Sequence, residues 1–169
     1  MHYSLFFGGL LALSTLTSAT PPREFDLTKL HLGPLAAPAS KAQVTKHLGQ
    51  PLAVINPHYE CGDFSAEQGG QTFYQLRYRQ AVFIGNSREG YELESFNFTS
   101  PGPARLAYGE QPLSAATTLA EFKRRFGPLE SYPQKDGSVE VIVRQEDATA
   151  AFIFRAGRLA RYEFHGTGC

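Results

Sequence analysis

A chain of 169 residues with 16 Lys plus Arg against 16 Asp plus Glu has no net charge to draw it to a polyanion. That balance gives no electrostatic footprint for DNA or for an anionic membrane surface, and it argues against nucleic acid as a partner. A hydrophobic fraction of 42% and the absence of any low-complexity segment suit a globular core.

Residues 1–19 read as a secretory signal peptide. The stretch 5–13 is apolar apart from small residues, and Thr17-Ser18-Ala19 supplies a small-residue cleavage site. No Lys or Arg precedes it, and the apolar run is shorter than the roughly 20 residues that span a bilayer. A buried N-terminal helix is the competing reading, opposed by Gly8-Gly9 and the following Ser/Thr cluster. No Cys stands at the cleavage site, which argues against a lipoprotein anchor. The expected location is the periplasm or the exterior of the cell, with no transmembrane segment.

After a Pro-containing lead-in, residues 27–32 form a short extended segment ended by Gly33-Pro34. Residues 40–48 follow as a helix. Ser40 and Gln43 have capping-box spacing, Val44 and Leu48 share a face, Gly49 permits a left-handed stop and Pro51 forbids continuation. A loop over 55–71 carries His58, Glu60, Cys61 and Asp63. Strands are predicted near 72–78, 81–84 and 91–98, with Tyr74, Leu76 and Tyr78 alternating against Phe73, Gln75 and Arg77.

A second unit repeats the plan. Leu106-Ala-Tyr108-Gly109 echoes Leu30-His-Leu32-Gly33, and Thr118-x-x-Glu121 opens a helix over 118–126 that Gly127-Pro128 ends. Strands follow over 139–144, 150–155 and 159–164, the last two joined by an Ala156-Gly157 hairpin. The closing aromatic spacing also recurs, as Leu93-x-x-Phe96-x-Phe98 and Leu159-x-x-Tyr162-x-Phe164. A repeat of roughly 60 to 70 residues is a supersecondary module rather than a solenoid unit. The expected fold class is therefore α+β: two tandem units, 24–100 and 104–169, each a helix followed by a three-stranded antiparallel meander. One such unit has too little core to stand alone, so the two should pack together.

The string Leu32-Gly33, Ser40, Val44, Leu48-Gly49-x-Pro51 resembles the opening signature of the SmpA/OmlA outer-membrane assembly lipoproteins. The tandem arrangement resembles that of the β-lactamase inhibitor proteins, a duplicated helix-plus-sheet fold. The resemblance implies a protein-binding role and carries no contact residue over to this chain.

Cys61 and Cys169 are an even pair in an exported chain, most simply a disulfide. Closing a loop of roughly 100 residues contributes up to about 4 to 5 kcal/mol in the chain-entropy account. The competing reading makes Cys61 a nucleophile activated by His58. Against it, catalytic partners usually come from distant segments. No CxxC or HxxxH completes a metal site, so neither a metal nor any other cofactor is expected.

With the valines of 139–143 turned toward the helices, the opposite face should hold Arg144, Arg155, Arg161 and Glu163 beside Ile142 and Ile153. In the first unit that face should hold Phe73, Gln75, Arg77, Phe83, Ser95 and Asn97. Arginine beside exposed aromatic side chains is what interface hot spots favour. Phe73, Arg77, Phe83, Arg144, Arg155 and Arg161 are accordingly the candidate binding residues. The expected function is a non-enzymatic inhibitor or immunity-type protein that occludes a toxin or hydrolase. The rivals are an envelope assembly accessory and a small thiol enzyme.

Overall fold

The computed structural model describes residues 25–35, 37–57, 72–145 and 148–165. The expected signal peptide, the His58–Cys61 cluster and Cys169 lie outside them. In chain order the elements are β1 (Leu30–Leu32), α1 (Lys41–Leu48), β2 (Ala53–Ile55), β3 (Tyr74–Arg77), β4 (Ala81–Asn86), β5 (Gly90–Asn97) and β6 (Leu106–Tyr108). Then come β7 (Gln111–Pro112), α2 (Leu119–Phe126), β8 (Glu130–Pro133), β9 (Val139–Gln145), β10 (Ala148–Arg155) and β11 (Arg158–His165). A three-residue 3₁₀ turn, Leu27–Lys29, precedes β1.

This overturns the expected α+β class of two helix-plus-three-stranded units. The described chain is mostly β, with eleven strands in two antiparallel sheets and only two helices of eight residues. Two turns of helix are all that the Gly49-x-Pro51 and Gly127-Pro128 stops allow. The segments just after them, β2 and β8, pair as edge strands instead of forming loops. The segments before the helices also pair, β1 with β6 and β6 with β7, into a separate three-stranded sheet.

Local chemistry fixes both helix ends. At α1 the Ser40 hydroxyl accepts from the Gln43 amide at 3.2 Å, and the Gln43 side chain accepts from the Ser40 N–H at 2.8 Å. Two of the orphan donors of the first turn are thereby satisfied. At α2 Thr118 accepts from the Glu121 amide at 3.1 Å, while the Glu121 carboxylate turns to Arg125 one turn along. Gly49 and Gly127 take φ of 83° and 84° and donate to the Thr45 and Lys123 carbonyls, conformations that suit glycine.

The large sheet runs β2-β3-β4-β5-β11-β10-β9-β8, so each half of the chain supplies four consecutive strands running inward from one edge. They meet at β5 and β11, where the ladder covers only Ser95–Glu163, Phe96–Tyr162 and Asn97–Arg161. The neighbouring pairs β4–β5 and β10–β11 share six and seven positions. The short seam leaves the start of β5 and the end of β11 without a common ladder.

One face of the large sheet carries the core. The row Ala81, Phe96, Tyr162, Phe152, Val141, Ser131 crosses six strands in register, and all but Ser131 are buried. From α2, Phe122 meets Phe152 at 4.8 Å and Phe154 at 5.3 Å between ring centroids. Phe25 reaches Phe126 at 4.8 Å and Tyr108 at 4.5 Å. Val44 from α1 joins the same buried cluster, as do Leu30, Leu32 and Leu106 of the small sheet. Each fully buried Phe or Leu is worth about 1.5–3 kcal/mol of removed apolar surface, and together they hold the helices and small sheet to this side.

Candidate functional site

Strand alternation sends every second side chain to the other face. There a second unbroken row crosses all eight strands: Ala53, Arg77, Val82, Ser95, Glu163, Ala151, Ile142 and Glu130. A parallel row holds Asn97, Arg161, Ile153, Glu140 and Tyr132. Arg77, Arg161, Arg144, Glu130 and Tyr132 are exposed, and Val82, Ile84, Ile142 and Ile153 are half-buried among them. The face therefore mixes cations, carboxylates and aliphatic side chains.

The arginines are held. Arg77 donates twice to the Gln75 side-chain oxygen, at 3.0 and 2.8 Å, and the Gln75 amide donates to the Glu94 carboxylate at 3.0 and 2.8 Å. Arg161 meets Glu163 at 2.8 Å, and His165 lies 3.8 Å from the same carboxylate. Arg144 pairs with Glu130, which also accepts from the Tyr132 hydroxyl at 2.9 Å. The hydrogen bond from Arg144, with that of Tyr132, holds the Glu130 carboxyl below the usual carboxylate range. Exposed pairs of this kind add little stability, but they set where the side chains point.

Four of the six candidates sit on this face: Arg77, Arg144, Arg155 and Arg161. Arg155 stands at its margin, 3.9 Å from Asp136. Phe83 does not join them. It is 3% exposed on the core side, opposite Leu76 and Leu93. In β4 the sequence Ala81-Val-Phe-Ile84 is apolar throughout, so alternation alone leaves its facing undecided. Phe73 precedes β3 and is half-buried. The aromatic residue the face does carry, Tyr132, escapes sequence reasoning because Glu-Ser-Tyr-Pro has no strand alternation. Only its spacing after the Gly127-Pro128 stop hints at an edge strand.

Among the described residues no three His, Cys, Asp or Glu side chains group where they could share a metal ion, and no helix is long and apolar enough to cross a membrane. What the face offers is hydrogen bonding, ion pairing and apolar contact. Comparison with protein-family models, with curated proteins and with solved structures found no match to this chain.

Proposed function

We propose that the chain is a non-enzymatic protein-binding module of the cell envelope, an inhibitor or immunity-type protein. It presses the open face of its eight-stranded sheet over the active site of a toxin or hydrolase. The observation that carries this reading is the unbroken row from Ala53 on β2 to Glu130 on β8, fully buried only at Ala151 and flanked by arginines that neighbouring side chains already hold. Seven strand spacings of about 4.8 Å make the face roughly 34 Å wide, and five residues of strand make it about 17 Å deep. The resulting area, roughly 600 Å², is of the order of the 800 Å² that one partner commonly contributes to a stable complex.

Ordering matters as much as area. A long side chain fixed on binding costs about 0.5–1.5 kcal/mol, so arginines held beforehand by Gln75, Glu163 and Glu130 avoid part of that cost. Arg161 on the central strand β11, and Arg77 and Tyr132 nearer the edges, are of the residue types enriched in interface hot spots.

The test is capture from a non-reducing envelope extract with the tagged full chain, run beside the Arg77→Glu/Arg161→Glu variant. The expected result is one stoichiometric partner whose hydrolase or toxin activity the wild-type chain silences, lost with the variant while its circular dichroism stays native. Equal capture by both proteins removes the open face from the interface. Recovery of membrane assembly components, with no activity silenced, replaces inhibition with an accessory role.

A further inference from the structure

Where the β5–β11 ladder stops, the two strands leave space between the large sheet and the small one. A cavity of about 320 Å³ lies there. Phe83, Leu93, Tyr162 and Phe164 wall it from the large sheet, and Leu30 and Leu35 from the β1 side. Closely packed interiors rarely leave a void larger than a water molecule. At roughly 30 Å³ per water-sized unit, this one has room for about ten non-hydrogen atoms, the lower end of small-molecule sites.

The rim shows what the occupant carries. His31 is committed, its ring nitrogens lying 2.6 Å from the Gly33 carbonyl and 2.8 Å from that of Gly109. The Gln145 side-chain oxygen accepts from the Leu27 amide at 2.6 Å. Glu92 is different: it is exposed, lines the cavity, and makes no hydrogen bond or ion pair with another described residue. Among the described residues no Lys or Arg lines the space. A carboxylate at the mouth of an apolar chamber, with no described Lys or Arg beside it, selects for a positive ligand and against a negative one.

We infer that this cavity binds a small amphiphilic amine, its hydrocarbon body among Phe83, Leu93 and Phe164 and its ammonium group at Glu92. Glu92 stands opposite Ile84, so the mouth of the cavity gives onto the open face, but the inference does not rest on the protein-binding role.

Isothermal titration calorimetry of the purified full chain with n-octylamine and with octanoate at neutral pH tests it. Octylamine should bind one per chain, and octanoate roughly tenfold or more weakly, the difference between an attractive and a repulsive pair at a partly exposed carboxylate. Glu92→Gln should bring the two ligands to nearly equal affinity, and Leu93→Trp, which fills the chamber, should abolish the octylamine heat. The inference is overturned by no octylamine binding, by octanoate binding as tightly as octylamine to the wild type, or by octylamine binding unchanged in a natively folded Leu93→Trp protein. Should Leu93→Trp not fold, Glu92→Gln decides: an amine preference that survives it overturns the site.

Discussion

Phe96 and Tyr162 stand directly opposite each other at the middle of the seam where β5 meets β11. They are also matching members of the two Leu-x-x-aromatic-x-aromatic motifs that recur in the sequence, so the ladder that joins the halves within the large sheet pairs like with like. Both side chains are buried, and the Tyr162 ring packs on Phe152 at 5.2 Å between centroids. Joining the halves through so short a ladder works because its central pair faces the core rather than solvent. The sheet then behaves as one surface, and its open face is continuous.

Burial pushes the Tyr162 phenol well above the usual tyrosine value, and the nearby Glu92 charge adds to the shift. A raised folded value means that the folded state keeps its proton when the unfolded chain has lost it. The stability from this group is fully present below about pH 10 and declines as pH rises from there toward the folded value. Chemical denaturation at about pH 9 and about pH 11 should show a marked loss in the wild type. It should show a smaller loss in Tyr162→Phe, with Tyr78 and Tyr91, also raised by burial, supplying the remainder. An alkaline loss of the same size in both proteins would falsify the assignment.

Gly85 on β4 faces Tyr91 on β5. A Cβ added there would lie 1.9 Å from the Gly90 carbonyl oxygen and 2.7 Å from the Tyr91 Cα, both backbone atoms that cannot rotate away. Gly85→Ala should therefore force the β4–β5 hairpin apart and cost about 1–3 kcal/mol. Gly109→Ala is the control for an added methyl group, because a Cβ there meets nothing within 4 Å, though its φ of 54° still disfavours alanine. Thermal melts should rank Gly85→Ala below Gly109→Ala; the reverse order would mean that the hairpin yields more easily than its packing implies.

His31 ties the turn after β1 to the turn after β6, through the Gly33 and Gly109 carbonyl oxygens. The β1–β6 ladder it supports is only three positions long. A neutral imidazole has one N–H and donates to only one of these two carbonyls, so His31→Ala should cost about 0.5–1.5 kcal/mol, the worth of one hydrogen bond. Amide exchange at Gly33 and Gly109, which donate to Arg105 and Lys29, should speed up before that of the β9–β10 ladder. Unchanged exchange at those two amides rules out the tie.

Much of the local structure was legible because single residues enforce it. Ser40, Thr118 and the Gly-Pro stops place both helices, and Val139, Val141 and Val143 declare their strand by alternation. The fold class was not legible, because it turns on non-local pairing. Nothing in Glu-Ser-Tyr-Pro or Leu-His-Leu states that these short segments will find partners, and β1 meets a strand from the other half of the chain. The candidate face was partly legible for the same reason. Arg144 and Arg161 sit in strands with clear alternation, whereas Phe83 sits in a run that is apolar from Ala81 to Ile84.

Gln75 links two charges on the open face while being only 7% exposed itself. Its oxygen accepts two N–H bonds from Arg77, and its amide donates to Glu94. Gln75→Met keeps the length and apolar stem of the side chain but removes both functions. The variant should lose about 1–2 kcal/mol of stability, since neither charged neighbour is deeply buried and water can replace part of what is lost. Its larger effect should fall on the partner, once captured. Arg77 would have to be ordered during association, so affinity should drop although Gln75 contributes almost no surface to the contact. Surface plasmon resonance with Gln75→Met beside Arg77→Ala checks this. If Arg77→Ala weakens binding and Gln75→Met does not, the glutamine is structural and the ordering of Arg77 comes from elsewhere.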